Sequence, residues 1–154
     1  MRQKSGYFAN AYFRKGPQVS VPFDDLFRHS PNAYMVLDRN LRYLEANHAY
    51  ELLTGYRREQ LIGRGLFELF PGSVNEDGSA QADVVRISLE RALATGKRDV
   101  LALIPYTITS QTPDGPVEDV RYWSAPHTPV FEGGRVVAVM QHTTDATEVH
   151  RLRE

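Results

Sequence analysis

Five histidines are the side chains of this 154-residue chain best suited to bind a metal or move a proton. His127 lies on a predicted strand, where alternation of side chains puts Trp123 and Ala125 on its side. A histidine in such a place is either a buried side chain that hydrogen-bonds to its neighbours or a contact for a ligand or iron. Both interpretations of His127 stay open from the sequence.

His142 poses the same alternatives, because Ala138 and Met140 share its side of the last predicted strand. The remaining histidines occupy predicted helix ends or the final helix and are expected to face solvent: His29, His48 and His150. No two histidines have the i, i+4 helical spacing of a zinc site. The sequence therefore predicts no structural metal.

Nucleophilic catalysis finds little support in the sequence. There is no cysteine, which excludes disulfides and thiol chemistry, and neither a Gly-x-Ser-x-Gly elbow nor a phosphate-binding loop is present. The acidic pairs Asp24-Asp25 and Glu118-Asp119 are sequence neighbours whose side chains point apart on a strand. We therefore predict no catalytic residues and no enzymatic activity for the chain by itself.

The histidines and aromatic residues near the C-terminus must be positioned by two long predicted strands. Gly133-Gly134 separates these strands and supplies the positive φ angles that a tight hairpin requires. The second strand covers residues 135–144 and leads into a charged segment that is compatible with a helix. The hairpin therefore connects directly to an exposed C-terminal helix.

The rest of the chain predicts three more strands and several short helices around one longer helix. The strands cover residues 33–37, 42–46 and 100–108, and the helices cover residues 23–29, 48–53, 59–62 and 80–95. Asn47 is the predicted N-cap of the second helix, and Gly96 ends the longest one. Hairpin junctions favour an antiparallel sheet with the helices on one side, which is the α+β class.

Composition limits the classes of partner and location. With 42% hydrophobic and 24% charged residues, the chain fits one globular domain with its own core. Its net charge of −1 provides no field to attract nucleic acid, so we predict no nucleic-acid binding by this segment. Neither an apolar run long enough to span a bilayer nor a signal-peptide core is present, which predicts a cytoplasmic location.

The order and spacing of several short motifs resemble the PAS family, the small sensory domains of bacterial signalling proteins. The resemblance covers roughly residues 23–148 and is carried by Asp38, Asn47, Gly55-Tyr56, Leu61-Ile62-Gly63, Pro129-Val130 and Asp145-x-Thr147-Glu148. The variety RYWS...TPV...GRV is most similar to PAS domains that precede sensor histidine kinases. The resemblance implies a five-stranded antiparallel sheet with helices packed across one face.

A pocket between the helices and the sheet is also implied, and the family turns the side of Trp123 and His127 toward it. The candidate pocket-lining residues are Phe67, Phe70, Tyr106, Trp123, His127, Met140 and His142. The four aromatic residues among them either form a ligand cavity or simply fill the core.

The resemblance also limits the cofactor. Photosensors that form a flavin adduct need a cysteine, and this chain has none. One oxygen-sensing branch binds haem through a histidine of the long helix, where this chain has Val84 and Val85 and no histidine. The sequence therefore excludes adduct-forming flavin and argues against haem bound in that way, and it leaves the ligand unidentified.

We divide the chain into an N-terminal arm or capping helix (1–21), a PAS domain (22–146) and the start of a signalling helix (147–154). The first hypothesis is a homodimeric sensory domain of a two-component histidine kinase whose catalytic parts lie outside the chain. In it, a small molecule or a partner would bias the exit helix through Asp145 and Thr147. The alternatives are a ligand-free interaction module, the PAS domain of a transcriptional regulator, and a small α+β enzyme or carrier.

Overall fold

The computed structural model describes residues 20–154, which form one sheet with helices on one side. The strands are β1 (Ala33–Asp38), β2 (Tyr43–Ala46), β3 (Asp99–Thr112), β4 (Gly115–Glu132) and β5 (Arg135–Asp145). The helices are α1 (Phe23–His29), α2 (His48–Thr54), α3 (Arg58–Leu61), α4 (Leu66–Leu69), α5 (Gln81–Thr95) and α6 (Thr147–Arg151). The predicted arm of residues 1–21 lies outside the described residues except for its last two positions.

All neighbouring strands are antiparallel and follow the order β2-β1-β5-β4-β3. This confirms the predicted α+β class and the five-stranded antiparallel sheet. Gly133 and Gly134 have φ angles of 56° and 78°, as the predicted tight turn between β4 and β5 requires. In the first hairpin, the Asp38 carboxylate accepts hydrogen bonds from the backbone N–H groups of Asn40 and Arg42 at 2.8 and 3.0 Å.

One face of the sheet, which we call the inner face, is buried beneath the helices. It carries Met35, Leu37 and Val139, each with no exposed surface. The long helix α5 contacts β3, β4 and β5 and buries Val85 and Leu89 toward this face. Full burial of a side chain of this size contributes about 1.5–3 kcal/mol, so the shared core holds the helices on the sheet.

Asn47 connects three elements in addition to capping α2 as predicted. Its side-chain oxygen accepts hydrogen bonds from the N–H groups of Tyr50 at 3.1 Å and Tyr34 at 3.0 Å. Its amide nitrogen donates to the carbonyl oxygens of Phe27 at 3.0 Å and Asn32 at 2.8 Å. The side chain is fully buried, so each of these bonds replaces one that water would otherwise make.

Two bulges change which side chains face inward. In β3, the pairing shifts between Leu101 and Ile104, and Leu103 between them has a φ of 51°. In β5, Val137 is an extra residue, because Val136 pairs with Phe131 of β4 and Ala138 pairs with Val130. The sequence did not predict either bulge, and both affect the surroundings of the cavity described next.

Candidate functional site

A cavity of about 80 Å³ lies between the inner face of the sheet and helices α2, α4 and α5. Its lining comprises Tyr50, Thr54, Leu66, Phe67, Phe70, Val85, Ile104, Tyr106, Ile108, Trp123, Ala125, Gln141 and Thr143. None of the described residues that line it carries a charge, and most are apolar or aromatic. Such a cavity suits a small uncharged molecule, because burial of an unpaired charge is strongly unfavourable.

The structure brings together all four aromatic residues that the sequence singled out. Phe67, Phe70, Tyr106 and Trp123 line the cavity, although they come from α4, the loop after it, β3 and β4. The Tyr106 hydroxyl donates a hydrogen bond to the Phe70 carbonyl oxygen at 2.5 Å. Its ring lies so close to Gly72 that a Cβ atom there would be 2.9 Å from the Tyr106 Cζ atom. This contact holds the ring at the cavity wall.

Met140 and His142 do not line the cavity, contrary to the prediction. A regular hairpin extending from the pair Glu132–Arg135 would place Met140 opposite His127. The bulge in β5, where Val137 is the extra residue, shifts the pairing by one residue, so Gln141 is opposite His127 instead. Met140 and His142 therefore project from the outer face of the sheet.

On that outer face, the His142 ring lies against the Tyr34 ring, with 5.1 Å between the ring centroids. Gln141 and Thr143 take the positions at the cavity that the prediction assigned to their neighbours. Sequence reasoning missed both residues, because the bulge that brings them inward has no glycine or proline to mark it.

His127 is on the inner face as predicted, fully buried, but it is not among the residues that line the cavity. Its Nδ1 atom is 2.8 Å from Ser88 Oγ, and its Nε2 atom is 2.8 Å from Gln141 Nε2. Ser88 Oγ lies 2.5 Å from the Asp99 carboxylate. Both ring nitrogens are engaged, so a ligand or an iron atom could bind His127 only by displacing Ser88 or Gln141.

The directions of these hydrogen bonds follow from the Asp99 carboxylate, which only accepts. Ser88 must donate to it and therefore accepts from His127 Nδ1–H, which leaves Nε2 to accept from the Gln141 amide. The Gln141 carbonyl in turn accepts from the Thr143 hydroxyl at 2.6 Å. The orientation of the Gln141 amide at the cavity is thus set by a carboxylate on the far side of His127.

Burial lowers the pKa of His127 to about 4, although the nearby Asp99 carboxylate acts in the opposite direction. The hydrogen bond from Ser88 lowers the pKa of Asp99, with further lowering by the Arg91 guanidinium 3.3 Å away. His127 is therefore neutral and Asp99 is ionised near pH 7, as the directions of the hydrogen bonds require.

The two residues predicted to transmit a signal lie where β5 leads into α6. The Thr147 hydroxyl donates to Asp145 Oδ1 at 2.5 Å and accepts from the Tyr122 backbone N–H at 3.0 Å. The Ala146 N–H donates to the Tyr122 carbonyl oxygen at 2.8 Å, and the Tyr122 ring stacks on His150 at 3.8 Å. These contacts attach the start of α6 to β4, next to the cavity residue Trp123.

Within residues 20–154, no set of three or more His, Cys, Asp or Glu side chains is arranged to hold a metal ion. None of the helices in that part of the chain has the length and apolar character needed to cross a membrane.

Residues 27–151 match the family model described as PAS fold. No curated protein matches the sequence. The structure is similar to the PAS domain of nitrogen regulation protein NR(II) from Vibrio parahaemolyticus. The TM-score is 0.59 and the sequence identity 14%, with 82% of this chain and 99% of that chain covered.

The structure is also similar to the dimer of VqmA, a LuxR-type receptor from Vibrio cholerae. The TM-score is 0.59 and the identity 26%, over 88% of this chain and 56% of that one. A structure of VqmA bound to DPO gives a TM-score of 0.58 and 27% identity, over 85% of this chain and 59% of that one. The present chain thus corresponds to a little over half of VqmA.

Proposed function

The chain belongs to the PAS fold family of sensory domains, and from that membership we propose that it senses a small uncharged molecule in the cavity. The observation that carries the proposal is the cavity itself, which is lined by aromatic rings and is free of charge along its described lining. The similarity to VqmA, one structure of which is bound to DPO, supports ligand binding as the role of this fold here.

The size of the cavity limits the ligand. About 80 Å³ is well below the roughly 300–1,000 Å³ of pockets for drug-sized ligands. It is about half the volume of a cavity that binds benzene, which is about 150 Å³. The cavity is too small for haem or a flavin, and its lining contains no histidine to bind a haem iron. We infer a ligand no larger than a single ring.

Transmission would proceed through β4. Trp123 lines the cavity, and its neighbour Tyr122 makes the backbone hydrogen bonds that hold the start of α6. A ligand that moves Trp123 would change the strand to which Thr147 is attached. The ligand would shift the equilibrium between two arrangements of α6. The size of that shift is limited by the difference in its affinity for the two arrangements.

A cavity-filling substitution tests the proposal. Ala125 lines the cavity, whereas Ser124 precedes it on β4 and projects from the outer face. We expect members of a library of uncharged single-ring compounds to raise the melting temperature of the wild-type protein and of S124L, but not of A125L. If no compound stabilises the wild-type protein more than A125L, the cavity is not a ligand site and the interaction-module hypothesis gains support.

We propose that the output domain of the parent protein is a histidine kinase, because RYWS...TPV...GRV resembles PAS domains that precede such kinases. The second candidate is a transcriptional regulator, favoured by the 26% identity to VqmA, a LuxR-type receptor that binds target DNA. The reading frame after the codon for Glu154 separates the two outputs. A helical hairpin with a phosphorylatable histidine indicates a kinase, and a helix-turn-helix segment indicates a regulator.

We further propose that the protein acts as a homodimer, as the family resemblance implies. The cytoplasmic location and the absence of nucleic-acid binding by this segment stay predictions from the sequence. Sedimentation velocity of the purified chain tests the dimer directly, because a monomer at micromolar concentration would contradict it.

A further inference from the structure

A continuous series of hydrogen bonds connects the surface of the protein to two side chains of the cavity lining. The Asp99 carboxylate, at the start of β3, lies 2.5 Å from Ser88 Oγ, which lies 2.8 Å from His127 Nδ1. His127 Nε2 is 2.8 Å from the Gln141 amide nitrogen, and the Gln141 carbonyl accepts from the Thr143 hydroxyl at 2.6 Å. Gln141 and Thr143 line the cavity, whereas the Asp99 side chain is partly exposed to solvent.

The interior of this series can be hydrogen-bonded in either of two directions. A hydroxyl, a neutral imidazole and a side-chain amide can each donate on one side and accept on the other. In the observed direction, Ser88 donates to the surface carboxylate, His127 carries its proton on Nδ1, and Gln141 donates to Nε2. In the reverse direction, Ser88 would donate to Nδ1, and Nε2–H would donate to the carbonyl of a flipped Gln141 amide. That amide would then donate to Thr143.

The group at position 99 decides between the two directions. Ser88 is buried and has one hydroxyl proton, which can go either to the carboxylate or to the ring. An ionised carboxylate cannot donate, so Asp99 takes this proton and obliges the ring to donate from Nδ1. The Arg91 guanidinium, 3.3 Å from the carboxylate, favours the ionised form of Asp99.

We propose that Asp99 is a positioning residue of the cavity, which acts through Ser88 and His127 to fix the Gln141 amide. Asp99 also decides the state of the Thr143 hydroxyl. In the observed direction the Gln141 carbonyl holds its proton, and in the reverse direction that proton is released. The consequence for a ligand rests on the proposed function, whereas the positioning itself exists without any ligand.

The tautomer of His127 reports the direction of the hydrogen bonds. The two imidazole ¹⁵N shifts of the labelled protein distinguish a proton on Nδ1 from one on Nε2, and loss of these signals in H127Q assigns them. At pH 7.5 His127 is neutral, and we expect the wild-type protein to show the Nδ1–H tautomer. This is informative because neutral histidine in water favours Nε2–H.

The variant D99A removes the carboxylate and leaves the serine proton free to go to the ring. We expect most of His127 to change to the Nε2–H tautomer in D99A. The nuclear Overhauser effects of the Gln141 amide protons should move from His127 to Thr143. A loss of packing alone would not reverse the tautomer, so these signals separate positioning from a merely structural role.

R91Q is the matched control, because it removes the surface partner of Asp99 and keeps the carboxylate. We expect R91Q to retain the Nδ1–H tautomer and the wild-type amide contacts. S88A is the second variant if D99A does not fold. It interrupts the series next to the ring, and we expect it to favour Nε2–H as well.

An Nε2–H tautomer in the wild-type protein would overturn the proposal, as would an Nδ1–H tautomer that persists in D99A or, where D99A does not fold, in S88A. The tautomer is measured without any added compound, so this result is separate from the ligand-binding test. If D99A reverses the tautomer and no compound stabilises the wild-type protein, Asp99 positions Gln141 but the cavity is not a ligand site. If compounds bind and D99A keeps the wild-type tautomer, the ligand function stands and the positioning role fails.

Discussion

Among the side chains of this protein, His127 is a buried titratable group whose protonation makes the stability of the core depend on pH. It is fully buried, neutral and hydrogen-bonded through both ring nitrogens, to Ser88 and to Gln141. The position of the Gln141 amide at the cavity depends on this neutral state, because a protonated ring could not accept at Nε2. Protonation of His127 would therefore disturb both the stability of the fold and the lining of the cavity.

We predict that the free energy of unfolding falls as the pH decreases from 6.5 to 4. In this window the unfolded chain protonates the histidine, whose ordinary pKa is 6.5, whereas folded His127 stays neutral down to a pKa of about 4. The unfolded state then binds more protons, so acid favours it, by about 3 kcal/mol at pH 4 from this one residue. Urea unfolding at several pH values measures the slope.

The variant H127Q isolates the titration of His127. We expect it to be less stable than the wild-type protein at pH 7 and to show a shallower slope between pH 6.5 and 4.5. V139A is the matched control, because it weakens the same core and retains His127. An H127Q slope equal to those of V139A and the wild-type protein would show that His127 does not titrate as described.

Among the elements, the contact between β3 and the loop after α4 shapes the cavity. Gly72 has a φ of 67°, and its missing side chain leaves room for the Tyr106 ring. The ring is fixed there by the hydrogen bond to Phe70. A glycine is therefore required at position 72 both for the backbone conformation and for the position of a cavity wall.

Substitution of Gly72 by alanine should damage the cavity as well as the fold. G78A is the matched control, since Gly78 has a φ of 85° and nothing within 4 Å of an added Cβ. Both variants incur the backbone strain of a positive φ, about 1–2 kcal/mol. We expect G72A to be less stable than G78A by a further 1–3 kcal/mol or so, because its Cβ displaces the Tyr106 ring.

Chemical denaturation of G72A and G78A measures this difference. Titration of each with a single-ring compound that stabilises the wild-type protein shows whether the cavity survives. Retention of the wild-type affinity by G78A and its loss in G72A would agree with the role of the Tyr106 ring. Equal stability and equal affinity in the two variants would contradict it.

Considered as a single unit, the protein connects a buried cavity to an exit helix over one strand. Trp123 and Tyr122 are consecutive residues of β4, and their side chains project from opposite faces. The first lines the cavity, and the second holds α6 through Thr147 and His150. A change on the inner face can therefore reach α6 without rearrangement of the rest of the sheet.

We predict that T147V loosens α6 and leaves the core intact. Valine has nearly the shape of threonine but cannot accept the hydrogen bond from the Tyr122 N–H or donate to Asp145. We expect faster hydrogen exchange at the Tyr122 amide and in residues 147–151, with little change in α5. T144V is the control, as Thr144 is exposed and makes only a long contact, at 3.4 Å, with His142. Equal exchange rates in the two variants would show that Thr147 does not anchor α6.

Much of this architecture was accessible from local signals. The turn at Gly133-Gly134, the cap at Asn47 and the end of α5 at Gly96 were predicted and are confirmed, because each depends on residues adjacent in the chain. The family resemblance further indicated the strand count and the side of the sheet on which the helices pack. The four aromatic residues that the sequence singled out line the cavity, while their role in binding stays a proposal.

Only the tertiary structure decided which side of β5 faces the cavity. A bulge at Val137 of β5 places Gln141 and Thr143 at the cavity instead of Met140 and His142, since a shift of one residue moves every side chain of a strand to the other face. The partners of His127 likewise come from α5 and β5, far apart in sequence. Turns and caps are set by the few residues that form them, whereas register and burial depend on contacts between distant segments. The sequence therefore determined the elements of this protein, and the packing of those elements determined which side chains meet at the cavity.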